Sequence, residues 1–192
     1  MSTLVAIVGS ATPPGRLRRA VAEALARAAD AGAGVELIDL GERTIAAADG
    51  RPPAELEDDT AEAVEAISGA EAVLLATPVY RGSPAGVLKN LLDHVPVEAL
   101  ERKPVAIVAM GASQHHYLGA ERHLRDILSF FGADLLPVAG YLTSGDFEAG
   151  EPSAAAAAEL DALVAELRDR TARPAYVDPS RLRPLAARRP PR

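Results

Sequence analysis

The sequence predicts an α/β protein in which helices cover both faces of a parallel sheet. Five short apolar runs alternate with segments of helical periodicity along the 192 residues, which is the pattern of a three-layer sandwich. The runs are apolar almost throughout, as expected for strands that are buried on both faces. With 48% apolar residues, the chain can form one domain with a substantial core.

Each predicted strand is followed by a predicted helix. The strands are 4–8, 35–40, 72–76, 105–110 and 135–142, and Pro137 marks the last one as an edge strand. The helices are indicated by Leu17, Val21, Leu25 and Ala28; by the acidic segment 55–68; by the segment 84–94; by Leu124, Ile127, Leu128 and Phe131; and, after a Ser153 cap, by Leu160, Leu163, Val164 and Leu167. Residues 41–54 and 143–152 are predicted to be loops.

Two strand orders are common for such chains, those of the dinucleotide-binding sheet and of the flavodoxin-like sheet. Right-handed crossovers and the presence of only five strands favour the flavodoxin-like order 2-1-3-4-5. That order places the carboxyl ends of strands one, three and four side by side. Because ligands of open α/β sheets bind at this edge, we expect the loops after these three strands to form the site.

The loop after the third strand carries the most informative side chains. Thr77 and Pro78 are predicted to stop the strand, and Pro84 is predicted to begin the next helix. The turn Tyr80-Arg81-Gly82 supplies an aromatic ring, a guanidinium and closely approaching backbone, which suit a flat, polar-edged molecule such as a flavin ring. The alternative is a structural turn with a surface tyrosine.

The loop after the first strand is predicted to hold an anion at a helix N-terminus. Ser10 and Thr12 offer hydroxyls, Gly15 allows a close approach, and Arg16 is a bidentate phosphate donor. The loop has neither the G-x-G-x-x-G fingerprint nor a P-loop, so an ordinary strand-to-helix turn is the alternative. Without that fingerprint, Asp39 is interpreted as a loop residue rather than a ribose ligand.

The loop after the fourth strand, 111–117, is small and polar at first and then rich in rings. Its backbone can hydrogen-bond the pyrimidine edge of a flavin, with His116 beside the cofactor; the alternative is a solvated pair of histidines, His115 and His116. A metal site is disfavoured because no carboxylate cluster completes it. His94 and His123 are interpreted as residues of helix surfaces.

The residue types exclude several kinds of catalysis. The chain has no cysteine, so a disulfide framework, a thiol nucleophile and a thiolate metal site are all unavailable. We find no Ser/His/Asp arrangement and no carboxylate pair suited to hydrolysis. A protein poor in protic catalytic groups suits a cofactor that performs the reaction itself, so no catalytic side chain is predicted.

The net charge of −7 is unevenly distributed. After residue 167, eight arginines oppose two aspartates, whereas the rest of the chain is acidic. An acidic body argues against nucleic-acid binding. Residues 171–192, basic and proline-rich, are predicted to form a tail after a domain at 1–170, either solvated or bound to a partner.

With no signal peptide and no apolar run near the ~20 residues of a membrane span, we expect a cytoplasmic protein that does not enter a membrane.

The three loops resemble those of the NADPH-dependent FMN reductase family, in particular the flavin reductases of two-component alkanesulfonate monooxygenase systems. The resemblance covers about residues 3–170. Its most specific part is Thr77-Pro78-Val79-Tyr80-Arg81-Gly82-Ser83, with Gly86, Leu88, Lys89 and Leu92-Asp93; Gly9-Ser10, Pro14-Gly15-Arg16 and the Gly111 loop add to it. Thr12 departs from the pattern, since the family commonly has an arginine there.

The resemblance implies a flavodoxin-like fold and a site for FMN. It places Ser10, Gly15, Arg16 and Leu17 at the phosphate, Pro78, Val79, Tyr80 and Arg81 along the ring and ribityl chain, and Gly111, Ala112 and Ser113 at the polar edge of the ring. The implied reaction is hydride transfer from NADPH or NADH to flavin N5, with reduced FMN passing to a partner monooxygenase or another acceptor. A flavodoxin-like electron carrier and a quinone or azo reductase that retains FMN are the alternatives.

The resemblance also implies a homodimer or homotetramer. The helix 84–95 points the same way, because its apolar residues cover more than one face and such a helix is usually buried on two sides.

Overall fold

The computed structural model describes residues 3–12 and 15–172, apart from the side chain of His116. The strands are β1 (Thr3–Val8), β2 (Gly34–Asp39), β3 (Ala72–Tyr80), β4 (Ser83–Pro84), β5 (Pro104–Met110), β6 (Asp134–Leu135), β7 (Gly140–Leu142), β8 (Phe147–Glu148) and β9 (Glu151–Pro152). The helices are α1 (Arg16–Asp30), α2 (Thr60–Gly69), α3 (Gly86–His94), α4 (Val97–Leu100), α5 (Tyr117–Phe131) and α6 (Ala154–Thr171). The predicted basic tail lies outside the described residues from residue 173 onward.

The main sheet is parallel and runs in the order β2-β1-β3-β5, with the short strands β6 and β7 both paired to β5. This confirms the predicted order 2-1-3-4-5, in which β5 is the fourth strand and β6 and β7 together are the fifth. The carboxyl ends of β1, β3 and β5 are therefore neighbours, and the three loops that follow them lie at the same edge of the sheet.

Alternate residues of the strands face opposite layers, as the pleat dictates. Leu4, Ala6 and Val8 of β1 pack in one buried cluster with α1 and α6. Val5 and Ile7 pack in a second cluster with the helices α2 to α5 on the other face. The three-layer sandwich is thus confirmed, and each strand end is held by packing from both sides.

The prediction that Thr77 and Pro78 stop the third strand is wrong, because β3 continues to Tyr80. The carbonyl of Ala76 accepts from Gly9 N–H at 2.7 Å, so the backbone hydrogen-bonding groups of Ala76 face β1. Those of Pro78, two residues further along the strand, face the same side. β1 has already ended at that level. The missing N–H of Pro78 therefore costs the sheet no hydrogen bond, because no neighbouring strand is present on that side to accept it.

The predicted helix start at Pro84 is also wrong. Residues beyond Tyr80 turn back as a two-residue hairpin in which Tyr80 pairs with Ser83, and Pro84 belongs to β4. The helix α3 begins only at Gly86. By contrast, the Ser153 cap is confirmed, since its hydroxyl accepts from Ala156 N–H at 3.3 Å.

The fifth predicted strand is broken rather than continuous. Residues 136–139 separate β6 from β7, and the break contains Pro137. Arg125 Nη2 donates to the carbonyls of Leu136 and Pro137, both at 3.0 Å, and so satisfies groups that leave the ladder. The predicted loop 143–152 contains a 3-10 turn and the β8–β9 hairpin.

Helix α3 is buried on two sides within this chain, which removes its support for a subunit contact. One side packs on the sheet, and the loop after β2 covers the other. Asn90 Nδ2 donates to the Ala46 carbonyl at 2.7 Å, and Asn90 Oδ1 accepts from Ala48 N–H at 3.0 Å. His94, interpreted as a surface residue, is buried, with Nε2 2.9 Å from the Ala46 carbonyl.

The close approach of β1 and α3 leads to a stability prediction. A Cβ at Gly9 would lie 2.6 Å from Leu88 Cβ, and Leu88 is fully buried. We expect Gly9→Ala to lower the free energy of unfolding by about 1–3 kcal/mol, as overpacking does. Urea unfolding checks this. Gly69→Ala is the control, because a Cβ there meets nothing within 4 Å; equal midpoints for the two variants would contradict the prediction.

Candidate functional site

The loop after β1 presents hydroxyls and a helix N-terminus at the carboxyl edge of the sheet. Ser10 Oγ lies 3.0 Å from Thr12 Oγ1 and also accepts from Thr12 N–H at 3.4 Å. Gly15 is the N-cap residue of α1, which has no side-chain cap and no acidic residue in its first turn. The partial positive charge of this helix end is therefore available to an anion.

Arg16 is exposed at this edge and has neutral partners. Its Nη2 donates to Ser144 Oγ at 3.1 Å, and its guanidinium carbon lies 5.4 Å from the centroid of the Phe147 ring. Among the described residues, no carboxylate forms an ion pair with Arg16, so its charge is not neutralised there. Leu17, by contrast, is buried in the core, so only its backbone can face a ligand.

The hairpin after β3 has the backbone geometry of a type I′ turn. Both central residues have positive φ, 54° at Arg81 and 76° at Gly82, as this turn requires. Arginine is an unusual residue there, because a side chain in the left-handed region costs about 1–2 kcal/mol. Within the described part of the chain, Arg81 forms no ion pair. Because this strained arginine also lies at the carboxyl edge of the sheet, where ligands of open α/β sheets bind, it is a candidate for a functional position.

The rest of this hairpin forms a partly apolar wall. Pro78 and Val79 are half-buried, and Tyr80 is 51% exposed. The tip of the hairpin packs on the start of α5: a Cβ at Gly119 would lie 2.6 Å from the Gly82 carbonyl oxygen. The hairpin therefore has a fixed position against the helix that follows the third loop.

The loop after β5 is held by a residue that sequence reasoning missed. Tyr141, on β7, donates its hydroxyl to the Ser113 carbonyl at 2.8 Å. A Cβ at the buried Gly111 would overlap that hydroxyl oxygen, so glycine is required there. Ala112 is exposed and Ser113 half-buried, and His116 lies in the 3-10 turn before α5. No sequence signal pairs Tyr141 with residues nearly thirty positions earlier.

The loops are free of acidic residues, although the protein as a whole is acidic. Asp39, an acid at a neighbouring strand end, is the last residue of β2 rather than the loop residue that was expected. It is buried, 2.9 Å from Arg18 Nε, and accepts from Gly41 N–H at 2.9 Å. Asp39 is thus neutralised by structural partners, so its charge does not oppose an anionic ligand at the neighbouring loop.

Within residues 3–12 and 15–172, no three or more histidine, aspartate or glutamate side chains cluster in a way that could hold a metal ion. No helix in the same ranges is long and apolar enough to cross a membrane.

The structure brings the three predicted loops to one edge, and comparison with known proteins identifies the class. The sequence profile of the NADPH-dependent FMN reductases matches residues 2–148. The chain therefore belongs to the NADPH-dependent FMN reductase family, and the resemblance seen in its loops is confirmed.

The similarity extends to named relatives and to solved structures. An NAD(P)H-dependent FAD/FMN reductase of Geobacillus thermodenitrificans is 35% identical over 113 residues, covering 59% of this chain and 61% of the relative. The NADH-dependent FMN reductase SfnF of Pseudomonas fluorescens is 42% identical over 115 residues, covering 58% and 59%. The chain thus matches about three fifths of the length of these relatives.

The fold agrees with that of a crystal structure of apo NADH:FMN oxidoreductase (EMOB). The TM-score is 0.72 with 24% sequence identity, over 94% of this chain and 98% of that one. At this identity the likeness concerns the fold, which it confirms to be flavodoxin-like.

Proposed function

We propose that this protein is an NAD(P)H-dependent FMN reductase, which transfers hydride from nicotinamide to FMN and passes the reduced flavin to an acceptor. The observation that carries the proposal is the convergence of three acid-free loops on one sheet edge, with Arg16 and Arg81 unpaired by carboxylates among the described residues. Membership of the reductase family supports the same reaction.

The residues of the first loop fit the phosphate of FMN. A phosphate dianion needs hydrogen-bond donors and positive charge, and the uncapped start of α1 supplies both. Ser10, Thr12 and Gly15 would hold the phosphate with the Leu17 N–H, and Arg16 would add a charged donor. No acidic residue stands in this loop to oppose the binding.

The other two loops fit the ring. Pro78, Val79, Tyr80 and Gly82 would line its face and the ribityl chain, whereas Gly111, Ala112, Ser113 and His116 would meet its polar edge. FMN, when bound, supplies the hydride-accepting N5 atom. The role of the protein is to hold the two reactants at the separation that transfer requires.

Arg81 would supply the main electrostatic contribution. Reduction increases the negative charge on the flavin, and a guanidinium carried beside the ring by the packed hairpin would stabilise that charge. Hydride transfer needs no side-chain acid or base, in agreement with the residue types of the three loops. We therefore assign no catalytic side chain.

The partners and assembly of the protein are part of the proposal. NADPH or NADH would be the hydride donor, and a flavin-dependent monooxygenase would be one acceptor of reduced FMN; two relatives carry the name FMN or FAD/FMN reductase. The homodimer or homotetramer, the cytoplasmic location and the absence of nucleic-acid binding remain predictions. Sedimentation of the full chain with and without FMN measures the assembly.

Flavin titration followed by turnover tests the proposal. We expect quenching of FMN fluorescence on binding, and oxidation of NADPH or NADH whose rate rises with free FMN in excess of enzyme. Turnover that saturates at one FMN per chain and needs an added quinone would instead indicate a reductase that retains its flavin. Binding without NAD(P)H oxidation would indicate an electron carrier, and no binding would reject a flavin site.

A further inference from the structure

We propose that Tyr141 is a positioning residue whose hydroxyl fixes the third loop and aims the Gln114 N–H at the polar edge of bound FMN. The inference rests on the proposed function, because it concerns the same site. Tyr141 lies on β7, outside the three loops that form the proposed FMN site.

The position of Tyr141 is set by the sheet. In the parallel register of β5 and β7, Tyr141 stands opposite Ala109 and Leu142 opposite Met110. Gly111 N–H extends this ladder by donating to the Leu142 carbonyl at 2.9 Å. The loop thus leaves β5 directly beside Tyr141, and the missing side chain of Gly111 makes room for the hydroxyl.

The hydroxyl acts as a donor to one specific carbonyl. Burial raises the pKa of Tyr141 above its ordinary value, so the phenol keeps its proton at neutral pH. It donates that proton to the Ser113 carbonyl oxygen at 2.8 Å. Because C=O and N–H point in opposite directions across a trans peptide, the Gln114 N–H is directed away from Tyr141.

A second contact holds the ring independently of the hydroxyl. The ring of Tyr117, at the start of α5, meets the Tyr141 ring edge to face, with centroids 6.3 Å apart and an interplanar angle of 76°. Phenylalanine at position 141 would keep this contact and lose only the hydrogen bond. Tyr141→Phe therefore separates the proposed role from general packing.

Tyr141→Phe is expected to raise the Kd of FMN by about threefold to tenfold, the effect of losing one hydrogen bond. In the protein without flavin, amide hydrogen exchange in residues 111–116 should become faster by a similar factor, since the loop opens more readily. At saturating FMN, the KM for NADPH should change by less than about twofold, because the nicotinamide does not depend on this peptide.

Ser68→Ala is the matched control. Ser68 Oγ donates to the Val64 carbonyl at 2.7 Å, a hydrogen bond of the same kind in α2, far from the carboxyl edge. Its loss should leave both the Kd of FMN and the exchange of residues 111–116 unchanged.

The outcomes separate this inference from the proposed function. If the unaltered protein binds and reduces FMN while Tyr141→Phe matches it in Kd and in loop exchange, the positioning role is overturned and the reductase stands. If the unaltered protein neither binds nor reduces FMN, the proposed function fails and the role of Tyr141 toward FMN fails with it. Faster exchange together with weaker FMN binding supports the inference.

Discussion

Replacing Arg81 by glycine is expected to raise the Kd of FMN by about tenfold to a hundredfold, the effect of losing a charge-assisted hydrogen bond. The same change should increase the free energy of unfolding by about 1 kcal/mol, because glycine adopts the positive φ of this turn without strain. Fluorescence titration and urea unfolding measure the two effects. Weaker FMN binding together with a more stable fold is the signature of a side chain kept for binding at the expense of stability.

Arg102→Gly is the matched control for this experiment. Arg102 is also an arginine with positive φ, 57°, but it precedes β5 and so lies at the opposite, amino edge of the sheet. We expect a similar gain in stability with no change in FMN affinity. If Arg81→Gly binds FMN and turns over as the unaltered protein does, Arg81 does not belong to the site.

Gly111→Ala is expected to weaken FMN binding by about thirtyfold, the effect of losing two hydrogen bonds of about 1 kcal/mol each at the polar edge of the ring. The added Cβ would overlap the Tyr141 hydroxyl oxygen, so either the third loop or the end of β7 must move. Titration with FMN measures the loss, and far-UV circular dichroism checks that the fold is retained. Gly69→Ala, which has open space for its Cβ, should bind FMN normally.

A double variant tests whether the overlap is the cause. In Gly111→Ala combined with Tyr141→Phe, the oxygen is gone and the nearest ring atom, Cζ, would lie 2.9 Å from the new Cβ. This distance is still tight but needs a smaller shift, so we expect FMN affinity to recover in part. Full recovery is not expected, because Tyr141→Phe alone weakens binding; a double variant that binds FMN more weakly than Gly111→Ala would contradict the overlap as the cause.

The sheet and the shared edge of the three loops could be predicted from the sequence because both depend on local patterns. The strands are nearly continuous apolar runs, as in segments 72–76 and 105–110, and such runs are buried whatever surrounds them. Once the strand order is chosen, the loops that share an edge follow from topology alone. The glycines, hydroxyls and arginines of those loops then indicated the kind of ligand.

The errors arose where a residue's role depends on a distant neighbour. Pro78 continues β3 because β1 ends earlier, and nothing near Pro78 in the sequence records the length of β1. His94 is buried by a loop 48 residues away in sequence, and its own helix carries no signal for that contact. Tyr141 contacts Ser113 across 28 positions, and single-residue patterns carry no information about such pairs.

The helix α6 lies beyond the residues that the family profile matches, yet it packs in the core. The family profile stops at residue 148, before α6 begins. Yet Leu160, Val164 and Leu167 of this helix are buried with α1 against the sheet. A comparison restricted to the matched residues would therefore leave out one of the two helices that shield this side of the molecule from water.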